Sequence, residues 1–434
     1  MTQDSKRELK PKLRFPEFQD APWIEKPLGA FARLTTERAG NGKCILMSIT
    51  SGVGLVSQME KFGRTIAGKQ FTNYITLRQN EFAYNKSATK EYPQGFIAMY
   101  SGDELAAVPN SIFTCFSVHT ERVVPRYLDY LFLGNLHGKW LKKYIEVSAR
   151  AHGSLSIGDE DLLSLPIPLP SGKSSRAEQH KIADCLTSVD ELIAAQARKL
   201  DALKTHKQGL MQQLFPREGE TQPRLRFPEF QDAGEWEYTP MGNLLMSSPN
   251  YGVNAAAVPY SERLPKYLRI TDISDEGSYL SDKKVSVDLE PTDGNYLDEG
   301  DIALARTGAS VGKSYRYRKE DGRLVFAGFL IRVKPDKKRL VSAYLANYLT
   351  TWQYWDWVAV TSARSGQPGI NSIEYSSLAI PLPPGDLAEQ KRVADCLTSL
   401  DEMIAAQTQK LDAHKTHKKG LMQQLFPSPE EVEA

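Results

Sequence analysis

Apolar side chains recur every three to four residues along two stretches of this 434-residue chain. In the first they fall at Ile182, Leu186, Val189, Ile193, Leu200, Leu203, Leu210 and Leu214. In the second they fall at Val393, Leu397, Leu400, Ile404, Leu411, Leu421 and Leu425. This is the a/d stripe of a coiled coil, and it predicts two long helices. Each opens on a capping-box signal, Ser175-x-x-Glu178 and Asp386-x-x-Glu389. In such a box the short side chain accepts an orphan backbone N–H and the Glu reaches back to another. Each closes at Leu-Phe-Pro, because proline cannot continue a helix. A helix from Ala177 to Phe215 spans roughly 58 Å at 1.5 Å per residue. Gln196 and Lys207, matched by Gln407 and Lys418, interrupt the stripe. Neither helix buries such a stripe alone, so the two are expected to form the seam of one intramolecular coiled coil. If the halves are related by a pseudo-two-fold axis, the helices run antiparallel.

The two stripes belong to a duplication. EQHKIADCLTSVDELIAAQARKLDALKTHKQGLMQQLFP runs from Glu178 to Pro216, and EQKRVADCLTSLDEMIAAQTQKLDAHKTHKKGLMQQLFP from Glu389 to Pro427. LRFPEFQD stands at Leu13–Asp20 and again at Leu225–Asp232. The period is far too long for a solenoid. The expected division is a first body over 1–170, a helix over 171–216, a second body over 217–384, a helix over 385–427 and a tail over 428–434. Within the repeats, Cys185 and Cys396 read as small buried thiols beside the seam. His206 and His417 read as solvated helix-face residues. Gly209 and Gly420 each cost roughly 1 kcal/mol in a helix interior, which suggests close approach of another backbone, or a bend.

The bodies look unlike each other and read as α+β. In the first, Ser111–Val118 resembles a strand and Pro125–Tyr144 a helix; in the second, Leu324–Val333 reads as a strand and Ala343–Val358 as an aromatic helix. Trp352, Trp355 and Trp357 of that helix read as core. Each body closes on a proline-bounded run, LPIPLP (165–170) or IPLPP (380–384). The segment from Gly308 to Ser314 approaches a phosphate-binding loop, but GxxxxGK[ST] needs a glycine where Thr307 stands. No HExxH, GxSxG, methyltransferase tetrapeptide or metal-spaced His/Cys set occurs, so the chain offers a recognition surface without catalytic chemistry.

Composition bounds the class. Charged residues make up 25% of the chain, mean hydropathy is −0.42, and no apolar run reaches membrane-spanning length. The N-terminal MTQDSKRELKPK has no apolar signal region, and four cysteines without CxxC spacing suit a reducing compartment, so a cytoplasmic location is expected. The formal charge of only +1 argues against a nucleic-acid partner until it is resolved locally. Residues 12–150 carry 18 Lys/Arg against 12 Asp/Glu, and residues 306–339 carry 11 against 3, whereas 255–301 carries 5 against 11. Lys and Arg interleaved with amides and aromatics are what phosphate positioning and base-edge readout require. A nucleotide-hydrolysing or nuclease enzyme and a purely protein-binding coiled-coil adaptor are the competing classes.

Across nearly its whole length the pattern resembles a type I restriction–modification specificity subunit. The residues that carry the likeness are FAYNK (82–86), LDEGDIALARTGASVGK (297–313), SGQPGIN (365–371), GSLSI (153–157) and the EQ-x-x-[IV]-A-D-C-L opening of each helix. The resemblance implies a non-catalytic reader of double-stranded DNA with two target-recognition domains held apart by a helical ruler. Its target would be asymmetric and bipartite. Two modification subunits, binding S-adenosylmethionine and methylating adenine, would clamp on the helices. Two motor–nuclease subunits would add ATP- and Mg-dependent cleavage. The chain itself would hold no cofactor, no metal and no membrane. The DNA contacts it implies are Tyr84, Asn85, Lys86, His152 and Ser154 in the first domain, and Arg306, Thr307, Ser310, Lys313, Tyr315, Arg364, Ser365 and Gln367 in the second.

Overall fold

A computed structural model describes residues 9–427 except 51, 67–68, 91, 143, 145, 148–154 and 365. The chain forms two compact units, Met1–Gln196 with Lys410–Ala434, and Ala197–Gln409. Each therefore contains one body, the adjoining part of the helix that follows it, and part of the other helix.

The bodies share the topology of one sheet, and in part that of the other, despite their unlike sequences. In the first unit an antiparallel sheet orders its strands 32–35, 113–118, 82–85, 96–99. A second sheet orders 54–57, 45–50, 106–108, 75–77, with 45–50 parallel to 106–108. In the other unit the order 250–251, 330–333, 302–305, 314–316 repeats the first sheet. The order 257–259, 285–287, 266–268, 324–326 repeats the theme of the second, with 266–268 parallel to 324–326. The central strands, FAYN and IALA, are buried along their whole length, as a strand covered on both faces must be.

Several predicted elements are shorter than the hydrophobic pattern suggests. Leu324–Phe326 and Leu330–Val333 lie in different sheets, because the chain turns at Ala327–Phe329. The stretch 125–144 breaks after Leu133, where Asn135 adopts a left-handed conformation (φ 61°) before the helix Leu136–Leu141. The aromatic helix breaks into Ser342–Tyr348 and Trp352–Thr361, since the Thr351 hydroxyl caps the N–H of Tyr354 and starts a new helix. Trp357 packs on the core, but Trp352 and Trp355 are exposed, which corrects the reading of all three as core.

The long helices span Ser175–Leu214 and Ala388–Leu425. Within the first unit, Ile182, Ala183 and Leu186 share a core with Leu421, Met422, Leu425 and Phe426, and Lys418 pairs with Asp190 at 2.6 Å. Within the second, Met211, Leu214 and Phe215 share a core with Val393, Ala394 and Leu397, and Lys207 pairs with Asp401 at 2.6 Å. In each unit the residue numbers rise along one helix as they fall along the other, so the coiled coil is antiparallel. Along the seam Ile182, Leu186, Leu200, Val393, Leu397, Leu400 and Leu411 are buried, while Val189, Ile193, Leu203 and Ile404 are half-buried. The two lysines that interrupt the stripe are thus neutralised in place. His206 and His417 are exposed, as expected, whereas Cys185 and Cys396 are only half-buried. A Cβ added at Gly209 or Gly420 meets nothing within 4 Å, so no close backbone approach explains them.

The helix-start glutamates do something other than cap. Arg14 of the first LRFPEF donates from Nε and Nη2 to the two carboxylate oxygens of Glu178 at 2.7 and 2.8 Å, and Trp23 Nε1 donates to the same carboxylate at 3.2 Å. Arg226 holds Glu389 in the same bidentate way, at 2.8 Å twice. The next residue also repeats its role: Gln179 accepts from the Val124 N–H, and Gln390 from the Val341 N–H, each at 2.9 Å. The proline-bounded runs form strands against Trp23–Pro27 and Glu237–Pro240. Buried Tyr127 and Tyr344 donate to carbonyls of these runs, at Pro168 and Pro381.

Candidate nucleic-acid interface

The glycine-rich segment of the second body is the loop of a β-hairpin. It joins strand 302–305 to strand 314–316 through a short 3-10 turn at Gly308–Ser310. A phosphate-binding loop instead feeds the N-terminus of a helix, so the near-match is structural coincidence. Gly308 (φ 70°) and Gly312 (φ 88°) occupy the left-handed region. A Cβ at Gly312 would sit 2.7 and 2.9 Å from the Val358 methyls, so only glycine fits this corner.

SGQPGIN, some distance along the chain, closes against this hairpin. Gly308 donates to Pro368 O at 3.0 Å, Ile370 to Arg306 O at 2.9 Å, and Gly369 to Ser362 O at 3.1 Å. These bonds set Arg306, Thr307 and Gln367 at one crossing, with Ser310 and Lys313 in the same hairpin loop and Arg364 on the chain between the bonded Ser362 and Pro368. Thr307 forms a backbone bridge to Gly369, and the Gln367 amide lies over Gly308. Lys313 pairs at 2.7 Å with Asp275, a carboxylate 85% exposed. A solvated pair of this kind is worth little and exchanges readily for a phosphate. Arg364 bonds Thr361 O at 2.7 Å, Ala363 O at 3.0 Å and the Glu374 carboxylate. Arg306 lies over the Tyr251 ring, 4.8 Å from its centroid, and its Nε is buried without a hydrogen-bond partner. Tyr251 is itself anchored, accepting from the Ser372 N–H and bonding the Ser372 hydroxyl, which lowers its phenol pKa.

The first body repeats this crossing. Lys86 follows the strand 82–85 as Arg306 follows 302–305. The Lys86 N–H donates to Ile112 O at 2.8 Å and its carbonyl accepts from Leu155 at 2.8 Å; Arg306 donates to Phe329 O at 3.0 Å and accepts from Ile370. Lys86 with Ile112 thus matches Arg306 with Phe329, and Leu155 of GSLSI matches Ile370 of SGQPGIN.

Two expected contacts are corrected. Tyr84 is fully buried, donating to Gln94 O at 2.8 Å, and Tyr315 is 1% exposed, donating to Asp321 Oδ2 at 2.7 Å. Burial holds both phenols well above their ordinary pKa. Both brace the crossing from inside: Tyr84 packs in one core with Phe82 and Ile97, and Tyr315 in another with Ala303 and Ala305. Asn85 is 8% exposed and accepts the Ser87 N–H, fixing the turn after the strand. His152, Ser154 and Ser365 lie outside the described residues. Two exposed aromatics stand beside Arg306 without having been singled out in the sequence: Phe329, which falls inside a run that reads as a strand and is exposed by the turn at 327–329, and Tyr251, on the short edge strand 250–251.

Among the described residues no cluster of three or more His, Cys, Asp or Glu is placed to hold a metal, and no helix is long and apolar enough to cross a membrane. The model of the type I restriction modification DNA specificity domain matches residues 41–205 and 255–413. A protein named as the specificity subunit of the type I restriction enzyme MjaX from Methanocaldococcus jannaschii is 25% identical over 346 residues, covering 76% of this chain and 74% of its own. The solved S subunit of a type I restriction–modification system from M. genitalium aligns over 97% of this chain and 100% of its own, with 14% identity and a TM-score of 0.57. A chain from a structural study of complex assembly and conformational transition in the type I system aligns over 94% of this chain and 98% of its own, with 17% identity and a TM-score of 0.54. Duplicated bodies that share a sheet topology, joined to an antiparallel helix pair and matched in both halves by one family model, place this chain in the type I restriction–modification DNA specificity family, as a non-catalytic specificity subunit that recognises a DNA target.

Proposed function

We propose that this chain selects an asymmetric, bipartite duplex target, one half-site for each body, and leaves the bases between them unread. The observation that carries this is the repeated crossing at Lys86 and Arg306, set in one topology but surrounded by unlike side chains. Equal frames with unequal loops read unequal sequences, while the basic residue common to both supplies phosphate contact. Lys86, Arg306, Thr307, Ser310, Lys313, Arg364 and Gln367 are the contact residues supported by placement; His152, Ser154 and Ser365 rest on sequence alone. Two modification subunits bind along the paired helices, carry S-adenosylmethionine and methylate adenines. Two motor–nuclease subunits add ATP- and Mg-dependent cleavage.

The test is replacement of residues 217–384 by an unrelated body, followed by sequencing of methylated adenines in cells that also express the modification subunit. One half-site is expected to change, with the other half-site and the spacer kept. A change in both half-sites, or in neither, overturns the reading.

A further inference from the structure

Phe329 is 57% exposed, although its neighbour Leu330 is fully buried. Its backbone is held on both sides by hydrogen bonds. The Phe329 carbonyl accepts from Arg306, Gly328 donates to Val253 O at 2.8 Å, and Leu330 donates to Ala327 O at 2.8 Å. A large apolar ring held outward on a pinned turn loses little conformational entropy when it is covered. Its surroundings say what covers it. The turn lies within a segment carrying 11 Lys/Arg and 3 Asp/Glu. The adjoining Arg306 has an aromatic ring as its partner, whereas Arg364 and Arg332 have carboxylates close by. A guanidinium whose backbone is bonded to the exposed ring's own residue fits an anionic polymer with an apolar interior. In the first body the same position holds Ile112, which is half-buried, so the frame is shared and this side chain is not.

We propose that Phe329 enters a groove of the second half-site as an apolar wedge against the bases, while Arg306 beside it holds a backbone phosphate. This deepens, and rests on, the reading of residues 217–384 as a recognition domain. Wedge residues of this kind partly unstack a base step and are insensitive to salt, whereas each phosphate contact adds about one unit to the salt slope.

The assembled complex with its modification subunits is titrated, over a range of salt, against a duplex carrying the sequence that the wild-type complex methylates. Phe329→Ala is expected to weaken binding by about 5- to 150-fold with an unchanged salt slope, and Phe329→Leu by much less. Arg306→Gln is expected to lower the slope by about one unit. Unchanged affinity for Phe329→Ala overturns the proposal, as does a lowered slope. Impaired assembly with the modification subunits, at unchanged DNA affinity of the complex that does form, makes Phe329 a protein contact and also overturns it. Exchange of the whole body separates this failure from that of the parent reading. If exchange changes a half-site while Phe329→Ala changes nothing, only the wedge falls; if exchange changes nothing, both fall.

Discussion

Glu178→Gln tests what ties the repeated LRFPEF to the repeated helix. The side chains of Arg14 and Glu178 are 6% and 1% exposed, and both carboxylate oxygens accept from the guanidinium. Glutamine keeps the shape, but it offers one acceptor where two stood and turns an NH2 group toward Arg14. The Arg14 cation is then left buried without a counter-charge. Breaking one partner of a buried pair costs about 3–5 kcal/mol, a large share of the roughly 5–15 kcal/mol available to a domain. At about 2–4 °C per kcal/mol for a unit of this size, the first unit should melt roughly 6–20 °C lower. Denaturant and thermal unfolding followed by circular dichroism measure this. The paired change Arg14→Met with Glu178→Met removes both charges together, and a well-packed apolar pair is often neutral or better, so it should recover most of the loss. The equivalent Glu389→Gln should act equally through Arg226. A Glu178→Gln protein within about 1 kcal/mol of wild type, or a double variant as unstable as the single one, refutes the reasoning.

Acid should weaken the first unit through His137, whose fully buried imidazole is pushed down to about 4 from 6.5 by desolvation. The unfolded chain binds the proton more tightly, so this contribution is complete above pH 6.5 and is lost as pH falls toward 4. Between pH 7.5 and 5 that is about 2 kcal/mol, measurable by denaturant titration and expected to disappear in His137→Leu. Gly312→Ala places a methyl against Val358 at a positive φ, and should cost about 1–3 kcal/mol in unfolding experiments and weaken DNA binding by the complex. Leu13 donates to Gln424 O as Leu225 donates to Gln213 O, both at 2.9 Å. A circular permutant that joins Pro427 to Leu13 through a copy of residues 217–224, and opens at that segment, should therefore keep its far-ultraviolet dichroism and cooperative melting.

The helices and their seam were legible because heptad spacing is a one-dimensional signal, and duplication doubled it. The purpose of Glu178 was not legible, because a capping box and a long-range ion pair place the same letter at the same position. Its partner, Arg14, stands 164 residues away. The bodies were legible only as α+β. Their strands are two to six residues long, too short for alternation to mark an edge or a turn, so Leu324–Val333 read as continuous where the chain in fact changes sheets. FAYNK does structural work that its letters did not announce: Tyr84 and Asn85 face inward and build the crossing, and Lys86 alone of the three is left half-exposed.

That division of labour has a physical consequence. The contacts that repeat in both halves, Arg14 with Glu178 and Arg226 with Glu389, Gln179 with Val124 and Gln390 with Val341, and Leu13 or Leu225 with a helix-end carbonyl, lie in the frame. None of them uses a residue of the candidate rim. Distant, non-overlapping sites contribute nearly additively to stability. Under the proposed reading, substitution at Arg306, Lys313, Phe329 or Gln367 alters recognition and leaves the latch untouched. Repeated ends and divergent middles suit the proposed bipartite reading, in which the frame fixes where each turn sits and the loops fix what it touches.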